Sequence, residues 1–212
     1  MKIVLIGASG NIGHRILREA IDRGHQITAV SRNPEKQDVK HDRVRWVSLD
    51  ILNTSLLKEV VMRHDAVISS YGPGEKEDPH NVITTTNSMI EAMRQAGVKR
   101  LLVVGGAGSL EVAPGLQLVD TPEFPEAWKG GALAHREALR IYQKINDLDW
   151  TYVSPAALIQ PGKRTGKFRL GKGQLLTDEE GNSIVSMEDF AVALLDEIEN
   201  PNHIHKRFTV AY

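Results

Sequence analysis

The chain has 212 residues, 41% of them hydrophobic and 25% charged, a composition that rules out intrinsic disorder as its main state. Its 26 Lys and Arg against 27 Asp and Glu leave a net charge of −1, without the basic field that a nucleic-acid backbone recruits, so nucleic-acid contact is not expected unless the chain is a regulator. With no cysteine there can be no disulfide framework, thiolate metal site, iron–sulfur cluster or cysteine nucleophile.

No run approaches the roughly 18 apolar residues of a membrane helix, and the apolar start at residues 3–6 is too short for the core of a secretion signal. A soluble, cytoplasmic chain with no membrane contact is the expectation. Self-similarity at a period of roughly 20–50 residues is lacking, which removes solenoids and propellers.

The predicted elements alternate. Residues 3–6, Ile-Val-Leu-Ile, form a continuous apolar run, as in a strand buried on both faces of a parallel sheet. Between 11 and 23, Ile12, Ile16, Leu17, Ala20 and Ile21 fall at helical spacing, and Gly24 stands where a left-handed cap ends a helix. Further strands are predicted over 27–30, 44–48, 66–69, 100–104, 150–153 and 207–210, and helices over 54–63, 81–96, 132–145 and 186–199. Ser186 followed by Glu188 and Asp189 supplies a capping signature for the last of these. Residues 105–130 hold three prolines and no long predicted element; a loop of that length reads as a lid or binding loop. Residues 161–182, rich in Gly, Lys and Arg, read as loops with short strand pieces.

Such alternation implies an α/β fold, a Rossmann-type doubly wound parallel sheet in three αβα layers with right-handed crossovers. Ligands of such sheets bind beyond the carboxyl ends of the strands, where strand order reverses. The loop after the first strand reads Gly7-Ala8-Ser9-Gly10-Asn11-Ile12-Gly13. Backbone can approach a pyrophosphate there without an intervening side chain, and amides of the following helix point at the anion. The same glycines also suit a tight turn that binds nothing.

The second strand ends at Ser31-Arg32, 24 residues past Gly7, where an acidic residue would hold a ribose 2′-hydroxyl. A serine and a guanidinium suit a 2′-phosphate instead, with a charge-assisted bond of about 1.5–3 kcal/mol. NADP(H) is therefore expected over NAD(H), which remains possible, unless Arg32 is a solvated surface residue. Asp50 could accept from an adenine amino group with Ile51 along the ring, or cap the next helix. Ser69, Ser70, Tyr71 and Gly72 form a turn small enough for ribose and phosphate to pass, although Tyr71 could simply cover the sheet end.

These segments, together with residues 64–69, 96–100, 103–110 and Ser154-Pro155, resemble the atypical NAD(P)-binding branch of the short-chain dehydrogenase/reductase superfamily, with its NmrA-like proteins, biliverdin-IXβ reductase and NADH-flavin reductases. The resemblance spans nearly the whole chain. It implies one domain over 1–212, with a nucleotide-binding core at 1–153 and a smaller substrate-lining part at 154–212. It also implies cofactor contacts at Gly105 and at Pro155, Ala156 and Ala157. The superfamily's main branch uses a Tyr-x-x-x-Lys pair, which falls here at Gly131 and His135. Without the phenol, an epimerase or alcohol dehydrogenase lacks its proton donor.

His135 could hold the ribose or shuttle a proton, or be a helix histidine with no such role. Ser109 could orient a substrate carbonyl or flavin edge, or be a turn serine. His203 and His205 have a metal-like spacing but no third ligand, and read as surface residues, so no metal is expected. The resulting expectation is a reductase passing hydride from NADPH to a small-molecule acceptor, a flavin or quinone-like compound. The alternative is a non-catalytic NADP(H) sensor of NmrA type, in which the nucleotide orders a partner-binding surface.

Overall fold

A computed structural model of the protein describes residues 1–74 and 77–212. In chain order the elements are β1 (Lys2–Ile6), α1 (Asn11–Asp22), β2 (Gln26–Ser31), β3 (Val44–Ser48), α2 (Thr54–Val61), β4 (Ala66–Ser69), α3 (Asn81–Ala96), β5 (Arg100–Val104), β6 (Glu111–Ala113), β7 (Leu116–Gln117), α4 (Glu126–Tyr142), β8 (Asp149–Ser154), β9 (Leu158–Gln160), β10 (Arg169–Gly171), β11 (Ile184–Ser186), α5 (Met187–Glu199) and β12 (Lys206–Ala211). Eight strands make one sheet in the order β10-β12-β8-β5-β4-β1-β2-β3. All of its pairings are parallel except β10 with β12. Order reverses between β1 and β4, where Ile3 faces Ile27 on one side and Ala66 on the other.

The alternation of side chains in β1 divides the core. Ile3 and Leu5 pack with Ile16, Leu17 and Ala20 of α1 and Phe190, Leu194 and Ile198 of α5. Val4 and Ile6 pack on the opposite face with residues of α2, α3 and α4, among them Leu57, Val82, Met93 and Leu139. Each fully buried aliphatic side chain contributes about 1.5–3 kcal/mol. Packing on the sheet, more than helix propensity, therefore holds the short α1 and α2 in place. Among the described residues, no helix is long and apolar enough to cross a membrane.

Two expectations change. Helix α4 begins at Glu126, six residues before the expected start at 132. Gly130 and Gly131 lower helix propensity, but Pro125 at the cap position and tertiary packing, with Gly130 close against Pro79, extend the helix through them. The segment 105–125 also contains the β6–β7 hairpin, so the long loop is shorter and more structured than expected.

His203 departs from its surface assignment. It is half-buried, its Nδ1 lies 2.8 Å from Glu197 Oε2, and its ring stacks on Phe208 at 4.4 Å. His205 is exposed and its Nε2 lies 2.9 Å from the carbonyl oxygen of Leu148. Both histidines fasten the turn into β12.

Candidate nucleotide and acceptor site

The turn after β1 is fixed from several sides. Gly7 takes a left-handed φ of +75°, and a Cβ there would come within 2.7 Å of the Ser70 carbonyl oxygen. Gly10 N donates to Gly7 O at 3.0 Å and Ala8 N to Val30 O at 3.3 Å. Just past β4, Ser70 Oγ donates to Ile6 O at 3.0 Å and to Gly7 O at 3.1 Å. Gly13 sits behind the turn, where a Cβ would overlap the Gly7 carbonyl. Strand β4 and the first turn of α1 thus approach closely because both contacts lack side-chain bulk.

Helix α1 starts from Gly10, in extended conformation, with no capping side chain and no acidic residue in its first turn. By contrast, Asn53 caps α2 and Ser186 caps α5, the latter accepting from Asp189 N at 3.0 Å. The amides ahead of His14 have no acceptor within their own helix, and with the helix dipole they make a seat for an anion. The residues present therefore fit a dinucleotide's diphosphate.

A cavity of about 500 Å³ opens in front of this turn. Gly7, Ser9, Gly10, Ser31, Arg32, Asp50, Ile51, Ser70, Tyr71 and Gly72 all line it, so the structure brings together most of the positions singled out in the sequence. Asn11, Ile12, Gly13 and Ser69 are not in its lining: Ile12 packs toward the core and Ser69 is buried at the end of β4. Ser31 Oγ donates to Ser9 Oγ at 3.1 Å, linking the ends of β1 and β2. Asp50 Oδ1 accepts from Leu52 N at 3.0 Å within its own turn, and helix capping falls to Asn53.

Arg32 remains largely exposed, and its Nη1 donates to Glu77 Oε1 at 2.6 Å. That bond holds the Glu77 carboxyl below the usual carboxylate range. Tyr71 Oη donates to the other Glu77 oxygen at 3.4 Å. Nothing local in the chain marks Glu77, because its partner lies 45 residues away and the two meet only when the loops after β2 and β4 converge.

A second cavity, of about 600 Å³, adjoins the first and shares Gly72, Gly74 and Glu77 with it. Pro155, Ala156, Ala157, Gly131 and His135 line it. Ala157 N donates to Ser183 Oγ at 3.1 Å, so that amide already has an acceptor. Phe124 and Trp128 also line this cavity. Sequence reasoning marked their segment as a functional loop but passed over both aromatic residues.

His135 is held by Tyr152. The buried Tyr152 hydroxyl donates to His135 O at 3.0 Å, lies 3.4 Å from His135 Nδ1 and accepts from Gly106 N at 3.4 Å. Since its one proton goes to the carbonyl, the contact with Nδ1 calls for a protonated Nδ1 and an unprotonated Nε2. Burial lowers the imidazole pKa to about 4, so the ring is neutral at physiological pH. Burial also pushes the Tyr152 phenol up.

Ser109 is placed elsewhere. It is buried outside both cavities, where its Oγ and its carbonyl oxygen each accept from Arg207 Nη1 at 2.9 Å. Its hydroxyl is committed to holding β12, which does not suit a role at substrate. Gly105 likewise lies outside both linings, packed where a Cβ would overlap the Tyr152 ring.

A family model described as NAD(P)H-binding matches residues 7–201. The chain is 41% identical to the uncharacterized protein YwnB of Bacillus subtilis, over 99% of this chain and 98% of that one. Among solved structures it is similar to a proposed exported protein from Burkholderia pseudomallei, with 49% identity, a TM-score of 0.91 and full coverage of both chains. It is also similar to a proposed NADH-flavin reductase from Streptococcus pneumoniae, with 35% identity, a TM-score of 0.84, and coverage of 100% of this chain and 99% of that one.

Proposed function

Given that the chain belongs to the NAD(P)H-binding family, we propose that it is an NADPH-dependent reductase that delivers hydride to a flavin or quinone-like acceptor. The observation carrying this reading is the continuity of the two cavities, from the anion seat at α1, past Arg32, to the ring of His135. In this assignment the amides of Asn11 to Gly13 hold the diphosphate, with Gly10 N already spent on Gly7 O, and Arg32 takes the 2′-phosphate. Asp50 and Ile51 flank the adenine, and the backbone of Pro155 to Ala157 borders the nicotinamide.

When bound, the reduced nicotinamide supplies a hydride, two electrons in all, and the acceptor completes its reduction with a proton from water. No phenol stands at the position of Gly131, and His135 is neutral. The chain's contribution is therefore to orient two flat groups and keep them in contact. His135, with Nε2 unprotonated, is an acceptor for a ribose hydroxyl or an acceptor N–H, not a reservoir of protons at neutral pH.

Loss of nicotinamide absorbance in the presence of NADPH and FMN, FAD or a quinone tests the reading. Oxidation above the protein-free rate supports it. Tight nucleotide binding with no turnover of any acceptor overturns it in favour of an NADP(H) sensor, a reading favoured by the absence of a proton donor at Gly131.

A further inference from the structure

The two cavities of the trough differ in electrical character. The first carries the Arg32 guanidinium and the amino end of α1, beside the carboxylates of Asp50 and of Glu77, the latter paired with Arg32. Among the described residues lining the second there is no Lys or Arg, but there are two carboxylates, Glu77 and Glu123. Glu77 is paired with Arg32, whereas Glu123 lies exposed at the rim.

The lining of the second cavity includes Gly106, Gly108, Ala132 and Ala156, with no side chain beyond Cβ. A Cβ on Gly108 would come within 2.8 Å of Ala132 Cβ and force a shift, and one on Gly106 would press to 3.3 Å on His135 Cβ. Phe124, Pro125 and Trp128 contribute apolar surface to the same cavity, with Trp128 63% exposed. Thin backbone together with aromatic surface accommodates a planar ring system.

We propose that this second cavity selects a flat, uncharged aromatic acceptor and discriminates against an anionic one. The inference rests on the reductase reading for the ligand's role as acceptor, but its charge preference is a property of the cavity alone. An anionic substituent on the ring would shed water without gaining a cation from the described lining residues, and would meet the Glu123 carboxylate at the rim. The neutral His135 offers no compensating charge. An anion is seated at one end of the trough and a charge close to the acceptor ring is disfavoured at the other, which sets the polarity in which a dinucleotide and its acceptor share it.

Lumiflavin and 10-carboxymethylflavin share the isoalloxazine rings and differ by one carboxylate close to them. Quenching of flavin fluorescence, titrated with protein saturated with NADP⁺, gives both dissociation constants without turnover. The expected result is lumiflavin binding tighter by about tenfold, with the gap narrowed by at least half in Glu123→Lys. Equal or tighter binding of the carboxylated flavin overturns the inference, as does failure of either flavin to bind. A preference for lumiflavin without NADPH oxidation retains the charge selectivity and overturns only the reductase reading.

Discussion

Arg32 and Glu77 meet across the mouth of the nucleotide cavity, guanidinium Nη1 to carboxylate Oε1, at 2.6 Å. The cation assigned to a 2′-phosphate is thus already matched by an anion. A phosphate and Glu77 would compete for the same donors, and Glu77→Gln removes the competitor along with a negative charge. NADP⁺ should bind about five- to tenfold tighter to that variant, with NAD⁺ within about twofold of wild type. Arg32→Ala should weaken NADP⁺ by about ten- to a hundredfold and leave NAD⁺ nearly unchanged. Calorimetric titration reads both; equal effects on the two nucleotides would refute the 2′-phosphate assignment.

Gly10→Asp separates nucleotide binding from folding. Gly10 has an extended φ of −74° and ψ of 165°, and a Cβ there meets only Gly7 O, at 3.4 Å. An aspartate is a good helix cap, so stability should stay within about 1 kcal/mol of wild type. Its carboxylate would occupy the amides that are assigned to the diphosphate, and both nucleotides should bind about a hundredfold more weakly. Thermal unfolding with parallel titrations checks this. Unchanged affinity in a folded variant would place the diphosphate elsewhere.

His135 gives the protein a pH-dependent stability term whose sign is fixed by its lowered pKa of about 4. The unfolded chain binds this proton more readily than the folded one. The contribution is therefore complete above the unfolded pKa and is lost as pH falls toward the folded value. Between pH 7 and 5 the loss amounts to about 2 kcal/mol. Comparing His135→Gln with wild type by denaturant titration at both pH values should show a shallower decline in the variant; identical slopes would mean that the imidazole is not held neutral by the fold.

Glu197, only 4% exposed, accepts from Arg100 Nη2 at 2.9 Å, Thr151 Oγ1 at 3.1 Å and the His203 amide at 3.0 Å. Burial alone would raise its pKa, but hydrogen bonds from His203 and Asn202 outweigh this and lower it. Its contribution is present above the ordinary glutamate range and disappears as pH falls through the lowered folded value. Glu197→Gln leaves the buried Arg100 without its counter-charge, and should cost about 3–5 kcal/mol in chemical denaturation. A loss below about 1 kcal/mol would show that the pair is screened as a surface bridge is.

The sheet and its nucleotide half were legible along the chain because their signals are local. Apolar runs such as residues 3–6 mark strands, and glycines at 7, 10 and 13 follow at once with the helix they introduce. Ser31-Arg32 and Asp50-Ile51 were found because strand ends fall at countable places. The start of α4 at Glu126 is not legible locally, since glycines at 130 and 131 read as breakers while packing in the folded chain outweighs them.

The order of residues thus determined an alternating fold and a turn suited to an anion, both set by backbone conformation and periodic burial. Tertiary structure decided the meeting of Arg32 with Glu77, the commitment of Ser109 to Arg207, and the neutral state of His135 against Tyr152. Those depend on hydrogen bonds and desolvation between segments 17 to 98 residues apart, and such distances are closed only when the sheet brings its loops to one edge.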